Sequence, residues 1–304
     1  MLASLLTAVF FSISILFAAE SAKAAGPMLA NIARLVLATI LLGGWSITGG
    51  HGLGGPALPW FLLSGFIGYG LGDMSMFASL PRIGPRLAIL LTQCLATPIA
   101  AAAEYLWLDT TVGWVDLLTA SGILAGVALA LAPDNTSTPD RRQFFIGILF
   151  GIGSAAGQAL GAVVSRKANA VAEAAGMHVD GGTAAFERII MGTAVTLLTA
   201  AVLRKRTPPS EAPEAPEAPI LARLRKGAPL IIGNSLAGPA LGVACYQIAL
   251  LTTPSVIVLP IVATSPLVTM LFTFLFKGSR PGPRAILGGF LAVGCAIALS
   301  LRHA

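Results

Sequence analysis

Four charged side chains stand inside stretches otherwise almost free of charge: Arg34, Asp73, Glu104 and Arg188. A charge at mid-bilayer costs between about 3 and 15 kcal/mol, so such residues default to ion or substrate pathways. Lys23 and Lys167, near segment ends, add two more cations. The arginines and lysines suit a carboxylate or a phosphate, whereas Asp73 and Glu104 suit an amine or a proton. Arg34 and Asp73 admit two readings, a structural salt bridge or charges that meet substrate or a coupling proton. Glu104, near the end of its segment, reads equally as an interfacial carboxylate or a proton carrier. Gln93, Gln158, Asn234 and Gln247, with Thr97, Thr264 and Ser265, fit the lining of an aqueous cavity. His51, His178 and His303 fall in loops or at the terminus, which argues against a histidine relay. Cys94, Cys245 and Cys295 lie in apolar runs as small hydrophobes, and no metal set is visible.

The elements that must hold these residues follow from composition. Of 304 residues, 56% are hydrophobic and 11% charged, against roughly a quarter charged in a soluble domain. A hydrocarbon core about 30 Å thick needs about 20 mainly apolar residues per helical crossing. Ten such segments are read, from about Leu2 to Ala19, Met28 to Trp45, Leu58 to Leu80, Leu87 to Leu108, Trp114 to Ala132, Phe144 to Val164, Ala184 to Leu203, Pro229 to Leu251, Ser255 to Phe276 and Ala285 to Leu301. The runs are continuous and lack a period of two, so they are helices rather than barrel strands, and the fold is all-α. The first segment ends in AESAKAA and also resembles a secretory signal. No basic residue precedes it and the repeat below gives it a partner, so it is read as the first crossing.

The chain repeats itself. Placing Pro98 on Pro266 brings Gly126 onto Gly294 without a gap and sets Thr97 against Ser265. SAK at Ser21 to Lys23 falls on SRK at Ser165 to Lys167. ARLVLAT at Ala33 to Thr39 falls on ERIIMGT at Glu187 to Thr193, after an insertion around Ala168 to Gly182. The expected units are 1–132 and 143–302, joined by a loop over 133–142, with a Pro- and Glu-rich linker over 207–227 between the seventh and eighth segments. Five crossings per unit is an odd number, so the units must lie in opposite sense, the inverted repeat of secondary transporters. Loops after odd-numbered segments carry fourteen Lys and Arg, while the other face carries Arg166, Lys167 and Arg302. The positive-inside rule then puts both termini away from the cytoplasm. The basic residues flanking the linker, Arg223, Arg225 and Lys226 among them, suit anionic headgroups or simply a solvated loop.

Prolines within spans, namely Pro98, Pro239, Pro260 and Pro266, free carbonyls and permit bending, so they are hinge candidates. Glycines four apart, such as Gly68 and Gly72 or Gly153, Gly157 and Gly161, let helix backbones touch and read first as packing.

An Arg in the second helix of each half (Arg34, Arg188) and a Pro in the fourth (Pro98, Pro266) resemble the EamA branch of the drug/metabolite transporter superfamily. The stretch SGFIGYGLGDMSMFASLPRIGPRLAILL looks like a subgroup with GlyAsp in the third helix. The resemblance implies that helices one to four and six to nine enclose a cavity, with five and ten at the edge. It also implies transport of amino acids, other small metabolites, nucleotide sugars or sugar phosphates. Two departures stand out. The family's Glu about twelve residues after the fourth-helix Pro is replaced by Thr110, beside Asp109, and in the second half by Gly278. Both termini are usually cytoplasmic in the family, opposite to the loop charges here.

The expectation is a multi-pass protein of the bacterial inner membrane, a secondary transporter of a small polar metabolite such as an amino acid, working by alternating access. It is expected to need no cofactor or metal and to bind no nucleic acid. Its partners would be a small-molecule substrate, a proton or counter-solute and the lipid bilayer, with homodimerisation left open. No P-loop is present to energise it. The competing readings are a lipid-modifying membrane enzyme, for which no paired carboxylates or clustered histidines appear, and a non-transporting sensor or assembly subunit. A wet cavity reaching Asp73 favours the carrier; a sealed interface between the halves favours the subunit.

Overall fold

The computed structural model describes residues 1–132, 140–206, 219–278 and 282–302. Most of the 207–227 linker, with its three glutamates, and most of the 133–142 loop lie outside the described residues, as does His303. Among the described residues there are only helices: α1 (Leu2–Ala25), α2 (Pro27–Thr48), α3 (Leu58–Gly65), α4 (Asp73–Leu108), α5 (Trp114–Leu131), α6 (Arg141–Ala174), α7 (Gly181–Arg206), α8 (Ile220–Ser235), α9 (Val243–Thr252), α10 (Ser255–Val262), α11 (Ser265–Lys277) and α12 (Pro283–Arg302). Two π-helical segments, Phe66–Gly72 and Leu236–Gly242, join α3 to α4 and α8 to α9.

Nine described helical stretches are long and apolar enough to cross a bilayer. One of them, Leu58–Leu108, has 51 residues, about 77 Å of helix against a core of about 30 Å. It bends at Gly84, whose φ of 75° and ψ of 162° are far from helical. That conformation favours glycine, and Pro81 and Pro85 flank it. The third crossing therefore runs from Leu58 to the bend and the fourth from the bend to Leu108, giving ten crossings in all. Gly26, at φ 90°, makes the equally tight link between α1 and α2.

The packing is that of a chain whose solvent is lipid. In α1 the buried residues are Ser4, Thr7, Ala8, Ser12, Ser14, Ser21 and Ala25, while Leu2, Leu5, Leu6 and Val9 are exposed. Small and hydroxylated residues gain helix contact, and large aliphatic ones lose nothing in hydrocarbon. The same logic governs the glycines. A Cβ on Gly157 would lie 2.8 Å from Gly72 N, and one on Gly161 would lie 3.2 Å from Gly68 Cα. The sixth crossing thus lies backbone-to-backbone on the π-helical part of the third. Gly157→Val is expected to drive these helices apart, costing at least the 1 to 3 kcal/mol typical of overpacking. Detergent-extracted protein should then elute as aggregate in size-exclusion chromatography, whereas Gly44→Val, at an exposed helical glycine with open space around it, serves as a control.

Pseudo-two-fold symmetry is visible in the contacts. Thr39 and Thr193, repeat equivalents, meet hydroxyl to hydroxyl at 2.9 Å between α2 and α7. The π segments are equivalents too: Gly68 and Gly72 correspond to Gly238 and Gly242, and each segment packs on the other half's first helix, α6 and α1 respectively. α5 packs chiefly on α12, at the margin.

Segment ends differ from the sequence expectation at one place that matters. α6 continues through SRKANAVAEA to Ala174, because an Ala-rich stretch with no Gly or Pro has nothing to stop a helix. Arg166 and Lys167, expected outside the membrane helices, are therefore helical and inside the packed bundle's reach.

Candidate functional site

A cavity of about 800 Å³ lies between the halves. It is lined from α1, α2, both arms of the bent third and fourth crossings, α6, α7, the eighth crossing and the ninth. Its wall runs from mid-bundle to Arg86, Leu131 and Met270, close to the third, fifth and ninth loops. The cavity therefore faces the side on which most loop cations lie.

Of the candidate residues, Arg34, Asp73, Arg188, Gln93, Gln158, Pro239 and Pro266 line this space. The helices place them there by symmetry. Arg34 enters from α2 on the loop side where the cavity opens, and its equivalent Arg188 enters from α7, whose chain direction is reversed. Arg188 accordingly forms part of the floor and is only 6% exposed. Its guanidinium lies over the faces of Tyr69 and Tyr246, at 5.7 and 5.8 Å from the ring centroids. Its Nε is buried without a hydrogen-bond partner, and among the described residues no carboxylate pairs with it.

Arg34 donates from Nε to Asn31 Oδ1 at 2.8 Å. Among the described residues no ion pair joins Asp73 to either arginine, so the Arg34–Asp73 salt bridge is absent from this conformation, although both arginines act on the Asp73 charge through space. Gln158 donates to Gln93 Oε1 at 3.1 Å, tying α6 to the fourth crossing at the wall.

Other candidates lie elsewhere. Lys23 sits on the surface beside Glu20 at 3.1 Å, its side chain 72% exposed. Lys167 is half-buried on α6, away from the cavity lining. Asn234 accepts from Ser14 at 2.7 Å between α8 and α1, and Gln247 is fully buried with both amide atoms unpartnered. Pro98 lies within continuous α4, Pro260 within α10 and Pro239 within the second π segment. Pro266 opens α11 just after the turn at Ala263 and Thr264, where the ninth crossing breaks.

Glu104 is buried to 1% exposure and sits on the opposite side of the bundle from the mouth. Its Oε1 receives Arg166 Nη1 at 2.7 Å and the backbone N–H of Ser255 at 2.9 Å. It thus joins the fourth crossing to α6 and to the start of α10. This is neither a carboxylate reaching for the interface nor an unpaired one. Elsewhere on the closed face, Asp180 ties the loop before α7 to the end of α2. Its carboxylate accepts from Trp45 Nε1 at 2.8 Å and from Thr183, and contacts His51 Nδ1 at 3.4 Å. Burial alone would raise its pKa, but the hydrogen bonds from Thr183, Trp45 and His51 outweigh that and hold it well below the usual carboxylate range. A lowered folded pKa means stabilisation that is present above the unfolded value of about 4 and is lost as pH falls through the folded one. Asp180→Asn is therefore expected to lower the unfolding temperature at pH 7, with the gap to wild type narrowing below about pH 4.

Tyr69, Tyr246 and Arg166 were not singled out by sequence. The tyrosines count as apolar in a hydropathy reading, and Arg166 fell just past the expected end of the sixth segment.

A family model described as the EamA-like transporter family matches residues 1–132 and 145–301. No curated protein matches the sequence. A solved crystal structure of a protein shares the fold at 16% identity, with a TM-score of 0.75 over 99% of this chain and 98% of that one. Two inverted five-helix halves around a charged cavity, matched over nearly their whole length by that family model, identify the chain as a membrane transporter belonging to the EamA-like transporter family.

Proposed function

We propose that the protein is a secondary carrier that moves a small polar metabolite, such as an amino acid or a related compound, across the bacterial inner membrane by alternating access. The observation that carries this reading is the cavity itself. It lies between inverted halves, is lined by Asp73, Arg34 and Arg188 and extends toward Arg86 and Met270, and the Glu104–Arg166 pair and the Asp180 cluster stand toward the other face. A non-transporting subunit has no use for unpaired charges in a solvent-sized space, since each costs several kcal/mol of desolvation. The positive-inside rule favours a cytoplasmic open side with both termini on the other, opposite to the usual orientation of the family. Exchange of the two faces would carry solute past the floor. Metabolite profiling of cells with and without the protein would nominate solutes, and counterflow into proteoliposomes would test them. Carriage predicts saturable, trans-stimulated uptake; uptake absent for every nominated solute counts against it.

A further inference from the structure

The floor of the cavity holds a cation that no carboxylate among the described residues contacts, and this bears on which solute the carrier takes. Arg188 is almost fully buried, its Nε lacks a partner, and the two ring faces that flank it attract a cation without satisfying any of its N–H donors. Tyr69 and Thr92, whose hydroxyls are likewise buried and unpartnered, line the same space. Three donor groups with no protein acceptor in one cavity describe an oxyanion site from the protein side.

Charge and volume narrow the class. Arg34, Arg86 and Arg188 against Asp73 leave the lining with surplus positive charge toward the solute, which a carboxylate offsets and a zwitterion does not. Arg86, at the mouth, has contacts of its own. The remaining wall is mostly apolar, with Phe11, Ile15, Met76, Val243 and Val262 among its residues. About 800 Å³ is within the range that encloses drug-sized ligands, roughly 300 to 1,000 Å³.

Resting on the carrier reading, we propose that the substrate is an organic monoanion, a carboxylate on an apolar body, whose carboxylate seats on Arg188 between Tyr69 and Tyr246 with the Tyr69 hydroxyl as a further donor.

The test uses the full chain in nanodiscs and follows its unfolding temperature with butyrate, octanoate and 4-phenylbutyrate, and with 4-phenylbutyramide, phenylalanine and phenyl phosphate as comparators. The larger carboxylates should protect, the amide should not, and Arg188→Gln should weaken apparent affinity for the acid by at least ten-fold. Tyr69→Phe, which keeps the ring, should weaken it several-fold and guards against misfolding of the arginine variant. Equal protection by acid and amide, stronger protection by phenylalanine or phenyl phosphate, or protection by none of the acids overturns the assignment. Proteoliposome uptake separates the two claims. Phenylalanine accumulated without protection by any acid keeps the carrier and removes the monoanion; Arg188-dependent protection without uptake of any probe keeps the monoanion and removes the carrier.

Discussion

Glu104→Ala is expected to destabilise the protein by about 3 to 5 kcal/mol, the usual cost of stranding one member of a buried ion pair. The wild-type contact has good geometry, with Arg166 Nη1 at 2.7 Å and Ser255 N at 2.9 Å from the same oxygen, on a carboxylate that is 1% exposed. Removing it leaves the Arg166 charge and the first N–H of α10 without an acceptor. The double variant Glu104→Ala with Arg166→Met should recover much of the loss, because an apolar pair of similar volume is often neutral or better than the ions it replaces. Urea or thermal unfolding of the single and double variants measures the coupling. Additive losses would show that the two side chains do not act as a pair.

The same pair has a second consequence, because it spans three crossings on the closed face. Arg166 belongs to the second half and Glu104 to the first, so separating the halves on this side must break their contact. The latch is incompletely satisfied: Glu104 Oε2 and Ser255 Oγ are buried without partners. Unsatisfied buried polar atoms raise the energy of the state that contains them. The closed face is therefore held, but at less than the full stabilisation its polar groups offer, as a face that must reopen requires. Cysteine accessibility gives an expected result. A cysteine introduced at Ser255 should react slowly with a membrane-impermeant maleimide in the wild-type background and at least several-fold faster with Glu104→Gln. Equal rates would remove the latch.

Much of this was legible in the residues. Ten crossings, their division into two antiparallel halves and the two equivalent arginines follow from run length, an odd helix count and matching segments such as ARLVLAT and ERIIMGT. Even the Thr39–Thr193 contact lies on that alignment. What escaped reading has physical reasons. The π segments carry Gly68, Gly70 and Gly72 or Gly238, Pro239 and Gly242, residues equally suited to simple close packing, and a widened turn leaves no periodicity of its own. The Glu104 partner was hidden by a boundary: hydropathy ended the sixth segment at Val164, two residues before Arg166, although alanines carry the helix on to Ala174. The partners of Arg188 were hidden because a tyrosine ring scores as apolar while its face and hydroxyl serve a charge. Of the two readings open for Arg34 and Asp73, a salt bridge between them is absent among the described residues, although both line one cavity.

That absence of pairing sets the largest functional effect. Asp73→Asn and Arg34→Gln are each expected to lower the transport rate of a confirmed substrate about 100-fold, equivalent to about 2.7 kcal/mol, while leaving folding stability unchanged or slightly raised. The sign of the stability effect follows from the structure. Asp73 lies at the cavity wall beyond the first π segment with no hydrogen bond or ion pair among the described residues, so neutralising it breaks no contact and removes a desolvation cost. Arg34 gives up only its bond to Asn31. A structural salt bridge would behave oppositely, with each single variant destabilised and transport lost only through lost protein. Measuring unfolding temperature and counterflow on the same proteoliposome-competent preparations distinguishes the two. Asp73→Glu adds a finer test, since it keeps the charge but moves it about 1.5 Å into the space. Partial transport with an altered substrate preference would place Asp73 against the solute. Wild-type transport in Asp73→Asn would remove it from the site and leave Arg34 and Arg188 to act alone.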